Sequence, residues 1–218
     1  AKCVASAKQI LGSKILREQT FVHAHGTGTP ANRTSESHIL NKIAKTFGIK
    51  EWPVSGLKSF LGHSMAVAAG DQLISALGTW NKGVIPRIHS IQNTAEDVHD
   101  ENLDFLIEDR KEKPDYFKAS FLNAKGFGGN NASALILGPE TTMSQIKERH
   151  TKKTLTEYKK RLEKTRLASK EYNENASKGK YKTIYKFNND VLVGIDDLEV
   201  TTEKIKLKGY KKEIDLKS

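Results

Sequence analysis

Apolar positions recur along this chain with two different periods. Over residues 3–17, Val4, Ala7, Ile10, Leu11 and Ile15 fall at helical spacing and predict a helix with one apolar stripe. TFVHA (20–24) predicts a short strand, and the Gly-Thr-Gly-Thr-Pro run after it predicts a loop. SESHILNKIAKTF predicts an amphipathic helix, with Gly48 as its stop. WPVSG predicts a second strand and KSFLG a loop. HSMAVAAGDQLISALGTWNKG predicts a buried helix whose first two turns are nearly all small residues, a composition that permits close backbone approach. Residues 84–104 predict mostly loop. LDFLI, YFKASFLNA and NASALILG predict strands, the last two joined by the glycine-rich KGFGGN. The sum is mixed α/β, a sheet with buried and covering helices.

The pattern changes after Pro139. TTMSQIKERHTKKTLTEYKKRLEKTRLASKEY predicts one long charged helix. KYKTIYKFNNDVLVGI predicts a hairpin turning at Asn188-Asn189-Asp190, and LEVTTEKIKLKGY predicts two more strands. Charge follows the same division. Residues 1–139 hold 16 Lys+Arg against 13 Asp+Glu, and residues 140–218 hold 20 against 13, so most of the net +10 lies in the last third. We therefore expect two domains, 1–139 and a basic, polar α+β extension over 140–218. A basic surface suits nucleic acid, an anionic membrane, an acidic protein or plain solvation. No aromatic-interleaved basic motif points to nucleic acid. No apolar run reaches 18 residues and no signal peptide is visible, so the expectation is a cytoplasmic protein without a membrane span. The chain opens on Ala1-Lys2-Cys3 already in helical pattern, which predicts a piece of a longer protein.

The chemistry narrows to a few side chains. Cys3 is the sole cysteine, so neither a disulfide framework nor a cysteine zinc site is available. His23 and His25 are two apart; if the strand continues they share a face, which suits either two metal ligands or structural packing. A zinc site would need a third ligand, for which His63 is the candidate, with no carboxylate pattern beside it. His63 follows Gly62 and opens the predicted helix, whose positive end would keep the imidazole neutral and able to donate to an oxyanion. Lys58, if buried, needs a carboxylate, and Glu36 is available. GTGTP matches neither a Walker A loop nor a dinucleotide fingerprint. Gly126, Gly128 and Gly129 suit either a tight turn or a close approach.

Order and spacing then matter more than any one residue. AHGTGTPANRTSE, GLKSFLGHSMAVAAG and NAKGFGGNNASALI together resemble the three C-terminal signature blocks of the β-ketoacyl synthases, the decarboxylating condensing enzymes of fatty-acid and polyketide synthesis. The resemblance covers residues 1–139. It implies the C-terminal half of a thiolase-like fold, with a five-stranded mixed sheet. His25 and His63 match the histidines that stabilise the enolate left by malonyl decarboxylation, Lys58 the family lysine and Glu36 its acidic partner. Thr27 and Thr29 match hydroxyls that bond the pantetheine arm. Phe127, beside Gly128, matches the phenylalanine that gates the acyl pocket.

The implied partners are acyl carrier protein, acyl-CoA or acyl-carrier and malonyl-carrier substrates, and the N-terminal half of the same protein, in a parent homodimer. No cofactor or metal is implied beyond the phosphopantetheine arm of the substrate. The family nucleophile is a cysteine of the N-terminal half. Cys3, only 22 residues before His25 in KCVASAK, does not match it, so this chain alone should be inactive. Several positions depart from the pattern. His23 stands where many members have Glu or Asn, Arg33 where Asp is usual, Lys125 for Phe and Asn130 for Thr. GTGTPANRTSESHILN, VAAGDQLISALGTW and the extension also resemble a branch of long bacterial ketosynthases, some of which use acetyl-CoA. The alternatives are a non-catalytic partner subunit and a thiolase, which would need a second, C-terminal cysteine.

Overall fold

The structure, a computed structural model, describes residues 1–180 and 197–216. These fall into two compact units, Ala1–Leu155 and Thr156–Ser218.

The first unit is built on a five-stranded sheet. Its strands are β1 (Thr20–His23), β2 (Trp52–Ser55), β4 (Leu103–Phe105), β6 (Ala119–Lys125) and β7 (Asn131–Leu137). They lie in the order β4-β2-β1-β6-β7. The first four are parallel and β7 returns antiparallel to β6, making the expected mixed sheet. Strand β1 alternates strictly. Val22 joins Val54, Trp52, Leu103 and Phe121 beneath α1 (Lys2–Glu18) and α2 (Pro30–Phe47), against Val4, Ala7, Leu40 and Ala44. Phe21 faces the other way, into a cluster with Phe117, Ile85, Leu106 and two residues of α4 (Ala68–Lys82), Ala76 and Trp80. The sheet is thus covered on both faces, and its central strand is wholly buried.

The indole groups of this core are matched, whereas His23 and Ser120 are buried without a side-chain partner. The Trp52 indole N–H donates to Thr20 Oγ1 at 3.0 Å, and Thr20 Oγ1 donates to Leu16 O at 2.7 Å. The Trp80 N–H donates to Phe117 O at 2.8 Å.

Several local expectations differ from the structure, among them the start of α2, at Pro30 and not Ser35. KSFLG is not loop: Lys58–Leu61 form one helical turn, α3. The predicted buried helix begins late and is covered on one face only. Met65–Val67 form a 3-10 turn, α4 starts at Ala68, and Ile74 and Leu77 on its outer side are 70% and 51% exposed. Apolar residues occur on both of its sides, but only the one with Ala68, Ala76 and Trp80 is buried. Residues 84–104 are mostly loop, as expected, apart from Val84–Ile85 (β3), which pairs antiparallel with Arg110–Lys111 (β5). This pairing is tied at Gly83, at φ 72, where a Cβ would lie 2.0 Å from Glu112 O. The long charged helix is two: α5 (Pro139–Arg149) and α6 (Lys152–Ser177). His150 is extended, and Thr151 Oγ1 accepts the N–H of Thr154 at 3.2 Å, a cap that starts the second helix.

Beyond α6, β8 (Leu198–Val200), β9 (Lys204–Leu207) and β10 (Ile214–Asp215) form an antiparallel sheet in the order β10-β9-β8. The last strand was not expected. The hairpin predicted around Asn188-Asn189-Asp190 lies outside the described residues.

Candidate functional site

The carboxyl ends of parallel strands are where α/β sheets place ligand sites, and here β1 and β2 deliver the candidate residues to that edge. Strand β1 stops at His23, so the strand does not carry His23 and His25 onto one face as an extended pair. Gly26, at φ 59, turns the chain away within 3.5 Å (from an ideal Cβ) of Gly56 Cα. His23 stays in the core, fully buried, edge-on to Phe21 with ring centroids 5.3 Å apart. Both of its ring nitrogens lack a hydrogen-bond partner, and burial lowers its pKa to about 3. Among the described residues, no group of three or more His, Cys, Asp or Glu is arranged to hold a metal ion.

His25 and His63 come together, their rings edge-to-face with centroids 5.3 Å apart. Each ring accepts a main-chain N–H at Nδ1. Lys125 N donates to His25 at 3.1 Å and Met65 N donates to His63 at 3.0 Å. An Nδ1 that accepts carries no proton, so each ring is neutral and holds its hydrogen on Nε2. Burial, then the charge of Lys58, lowers the His25 pKa, against an opposing effect of Glu36. His63 does not open α4: it lies five residues before Ala68, in the link after α3. Its tautomer is set by the Met65 amide and not by a helix end.

Glu36 projects from α2 to the turn after β1. It is buried and accepts four N–H groups: His25 N at 2.8 Å, Gly26 N at 3.0 Å, Asn32 Nδ2 at 3.0 Å and Asn123 Nδ2 at 2.5 Å. A buried carboxylate is tolerated on such terms, because every lone pair lost from water finds a donor. Lys58 makes no direct ion pair with it. Its Nζ donates to His25 O at 2.5 Å, and Glu36 acts on it through space. Burial lowers the Lys58 pKa, while Glu36 and Asp71 oppose that shift. His25 is therefore held at its amide by Glu36, at its carbonyl by Lys58 and at its ring by Lys125.

Three contributors escaped the sequence reading. Gln72 of α4, buried, donates from Nε2 to Ala24 O and Asn123 O, both at 3.0 Å, and so ties the ends of β1 and β6 together. Asn123 links Glu36 to Ser133 Oγ, which donates to Asn123 Oδ1 at 2.9 Å. The Lys125 amide acts through its main chain alone. Asn123 lies in NAKGFGGNN, and its polarity within an apolar strand was the available signal; Gln72 and the amide gave none.

Beside this cluster a cleft of about 490 Å³ opens between α2 and the segment 88–98. Thr27, Gly28, Lys58 and Glu36 line it, along with Ile88, Ile91 and Phe105. Thr29 precedes α2, its hydroxyl 3.4 Å from that of Thr27. Phe127 and Gly128 lie in the 3-10 turn between β6 and β7, with Gly128 at φ 76. Cys3, on α1, donates from Sγ to Ser133 O at 3.2 Å.

With this geometry established, the chain can be set beside known proteins. Residues 4–92 match the family described as "Beta-ketoacyl synthase, C-terminal domain". The chain is 44% identical over 211 residues to the beta-ketoacyl-[acyl-carrier-protein] synthase FabY of Pseudomonas aeruginosa, covering 96% of this chain and 33% of that protein. It is 30% identical over 128 residues to fatty acid synthase subunit alpha of Saccharomyces cerevisiae, covering 57% of this chain and 7% of that one. The crystal structure of FabY superposes on all of this chain, and on 34% of its own, with TM-score 0.84 and 42% identity. A ketosynthase of the bacillaene synthase of Bacillus amyloliquefaciens, at 20% identity and TM-score 0.50, shares the fold. The chain thus spans about a third of the length of the FabY protein it matches, and the match runs through the extension. The fold is thiolase-like.

Proposed function

We propose, from the premise that this chain carries the C-terminal domain of the beta-ketoacyl synthase family, that the protein it belongs to is an acyltransferase of fatty-acid synthesis. It joins an acyl thioester to malonyl held on acyl carrier protein, with loss of carbon dioxide. The bond between the malonyl carboxylate and C2 breaks, and its electron pair passes into an enolate on the thioester oxygen. His25 and His63 donate to that oxygen from Nε2. Preorganised donors of this kind are worth about 3 kcal/mol each. The enolate carbon then attacks an acyl group carried on a cysteine, and the thiolate leaves.

That cysteine belongs to the N-terminal half; Cys3, turned toward the Ser133 carbonyl, is not it. The chain alone is then inactive. Thr27 and Thr29 contact the pantetheine arm, and Phe127 with Gly128 gates the acyl pocket. The basic surface favours acidic carrier proteins, and the parent works as a cytoplasmic homodimer. The division at 139/140 is part of this reading. A deletion that tests it must respect α5, whose Glu140 lies 2.6 Å from Lys118 Nζ. The observation that carries the function is the pair of Nδ1 acceptors, which leaves two neutral Nε2–H donors side by side. The partner-subunit alternative fits less well, because it would not need both rings fixed in the donating tautomer.

The test is the full-length protein with His63→Ala. Carbon dioxide release from malonyl-carrier should fall by at least about a hundredfold, while the cysteine still takes up acyl label. Release at the wild-type rate would remove His63 from the mechanism.

A further inference from the structure

Arg33 departs from the Asp of the motif that its segment resembles, and the enolate chemistry gives it no task. In the structure it has a partner far along the chain. Its guanidinium Nε donates to Asp97 Oδ1 at 2.8 Å and its NH2 group to Asp97 Oδ2 at 3.0 Å, a two-point fork. Thr34 Oγ1 adds a bond to Asp97 Oδ2 at 3.3 Å. The pair joins the first turns of α2 to the segment 88–98 and lies along the 490 Å³ cleft, whose lining includes Arg33 itself.

The segment is held differently along its length. At its start Ile88 N donates to Leu106 O and His89 N to Ser59 Oγ; just past its end His99 N donates to Ser37 Oγ. These anchors fix the ends to the sheet edge, to α3 and to α2. Between them Ile91, Ala95 and Val98 form a cleft wall, and Asp97, two residues before the His99 anchor, carries the fork to α2. The same helical face carries Asn32 and Glu36, which clamp the His25–Gly26 turn. A planar guanidinium on a carboxylate fixes orientation as well as distance, which a lysine in its place would not.

We propose that Arg33 and Asp97 are positioning residues: their ion pair latches the 88–98 segment to α2 and so sets the width of the cleft beside Thr27. The ligand is a flexible thioester chain with both amide and methylene groups, since the cleft offers Thr27, Asn32 and Lys58 on one side and Ile88, Ile91 and Phe105 on the other. This rests on the ketosynthase reading. The latch acts on how well the chain is held, not on the two histidines.

The test compares full-length wild type with Arg33→Ala, Asp97→Ala and the exchange Arg33→Asp with Asp97→Arg. Each single variant should raise KM for malonyl-carrier about twofold to fivefold, with kcat unchanged. Amide hydrogen exchange across 88–98 should quicken in both and return toward wild type, together with KM, in the exchange variant. An unchanged KM in the single variants would overturn the proposal. So would a loss carried by kcat alone, or an exchange variant as impaired as the single ones. Hydrogen exchange needs no substrate. A wild type that releases no carbon dioxide would therefore defeat the ketosynthase reading, while faster exchange in Arg33→Ala would still support the latch.

Discussion

His23 makes this fold sensitive to acid, although its ring is fully buried. Its ring is fully buried with both nitrogens unpartnered, and its pKa falls from 6.5 to about 3 because burial disfavours the cation. The folded chain therefore refuses a proton that the unfolded chain accepts. Stability from this residue is intact above pH 6.5 and is lost progressively as pH falls from there toward 3. At pH 5 the unfolded ring is favoured by about 1.5 pK units of protonation, or about 2 kcal/mol. Replacing His23 with Leu removes the titration and the two orphaned nitrogens, so at pH 7 the variant should be neutral or slightly more stable. The assay is urea unfolding of the 218-residue chain at pH 7, 6 and 5, followed by fluorescence of Trp52 and Trp80, both buried. Other acid-sensitive groups act equally in both proteins and cancel. Wild type should lose about 2 kcal/mol more than His23→Leu between pH 7 and pH 5. Parallel losses would refute the reasoning, because they would mean that His23 can be protonated in place.

Two further outcomes test the cluster around His25. Lys58 depresses the His25 pKa, so Lys58→Met should raise it and shift the acid limb of malonyl decarboxylation to higher pH. A pH–rate profile of the full-length variant checks this, and an unmoved limb would contradict it. Glu36→Gln should cost about 3 kcal/mol of stability, because the amide –NH2 would face the donors that the carboxylate accepts. Thermal or urea unfolding reads it, and a change below about 1 kcal/mol would mean that the turn finds other partners.

Legibility in the sequence followed the kind of signal each part sends. The sheet strands were readable because Phe21 and Val22, Trp52 and Val54, and Phe121 and Leu122 set aromatic and branched residues in short segments bounded by turn-formers, although the polar residues buried among them gave no such signal. The break at His150-Thr151 was not, since charge and spacing run through it unbroken while one hydroxyl starts a new helix. His25, His63, Lys58 and Glu36 were named from motifs, and the structure gathers them, but their joints differ from simple pairing. Lys58 bonds a carbonyl instead of Glu36, and His63 answers to a loop amide instead of a helix end. Arg33 was visible as an anomaly; its partner, 64 positions away, follows only from the path of the chain.

The amides of Met65 and Lys125 give the histidine pair an unusual kind of inheritance. The hydrogen on each Nε2 is fixed by a main-chain group that every residue except proline possesses. The side chains still matter in other ways: Met65 sits at φ 54, which burdens a branched replacement, and the Lys125 charge adds to the lowering of the His25 pKa. The substitution most damaging to the tautomers would be the one that removes an N–H, whatever its size or charge.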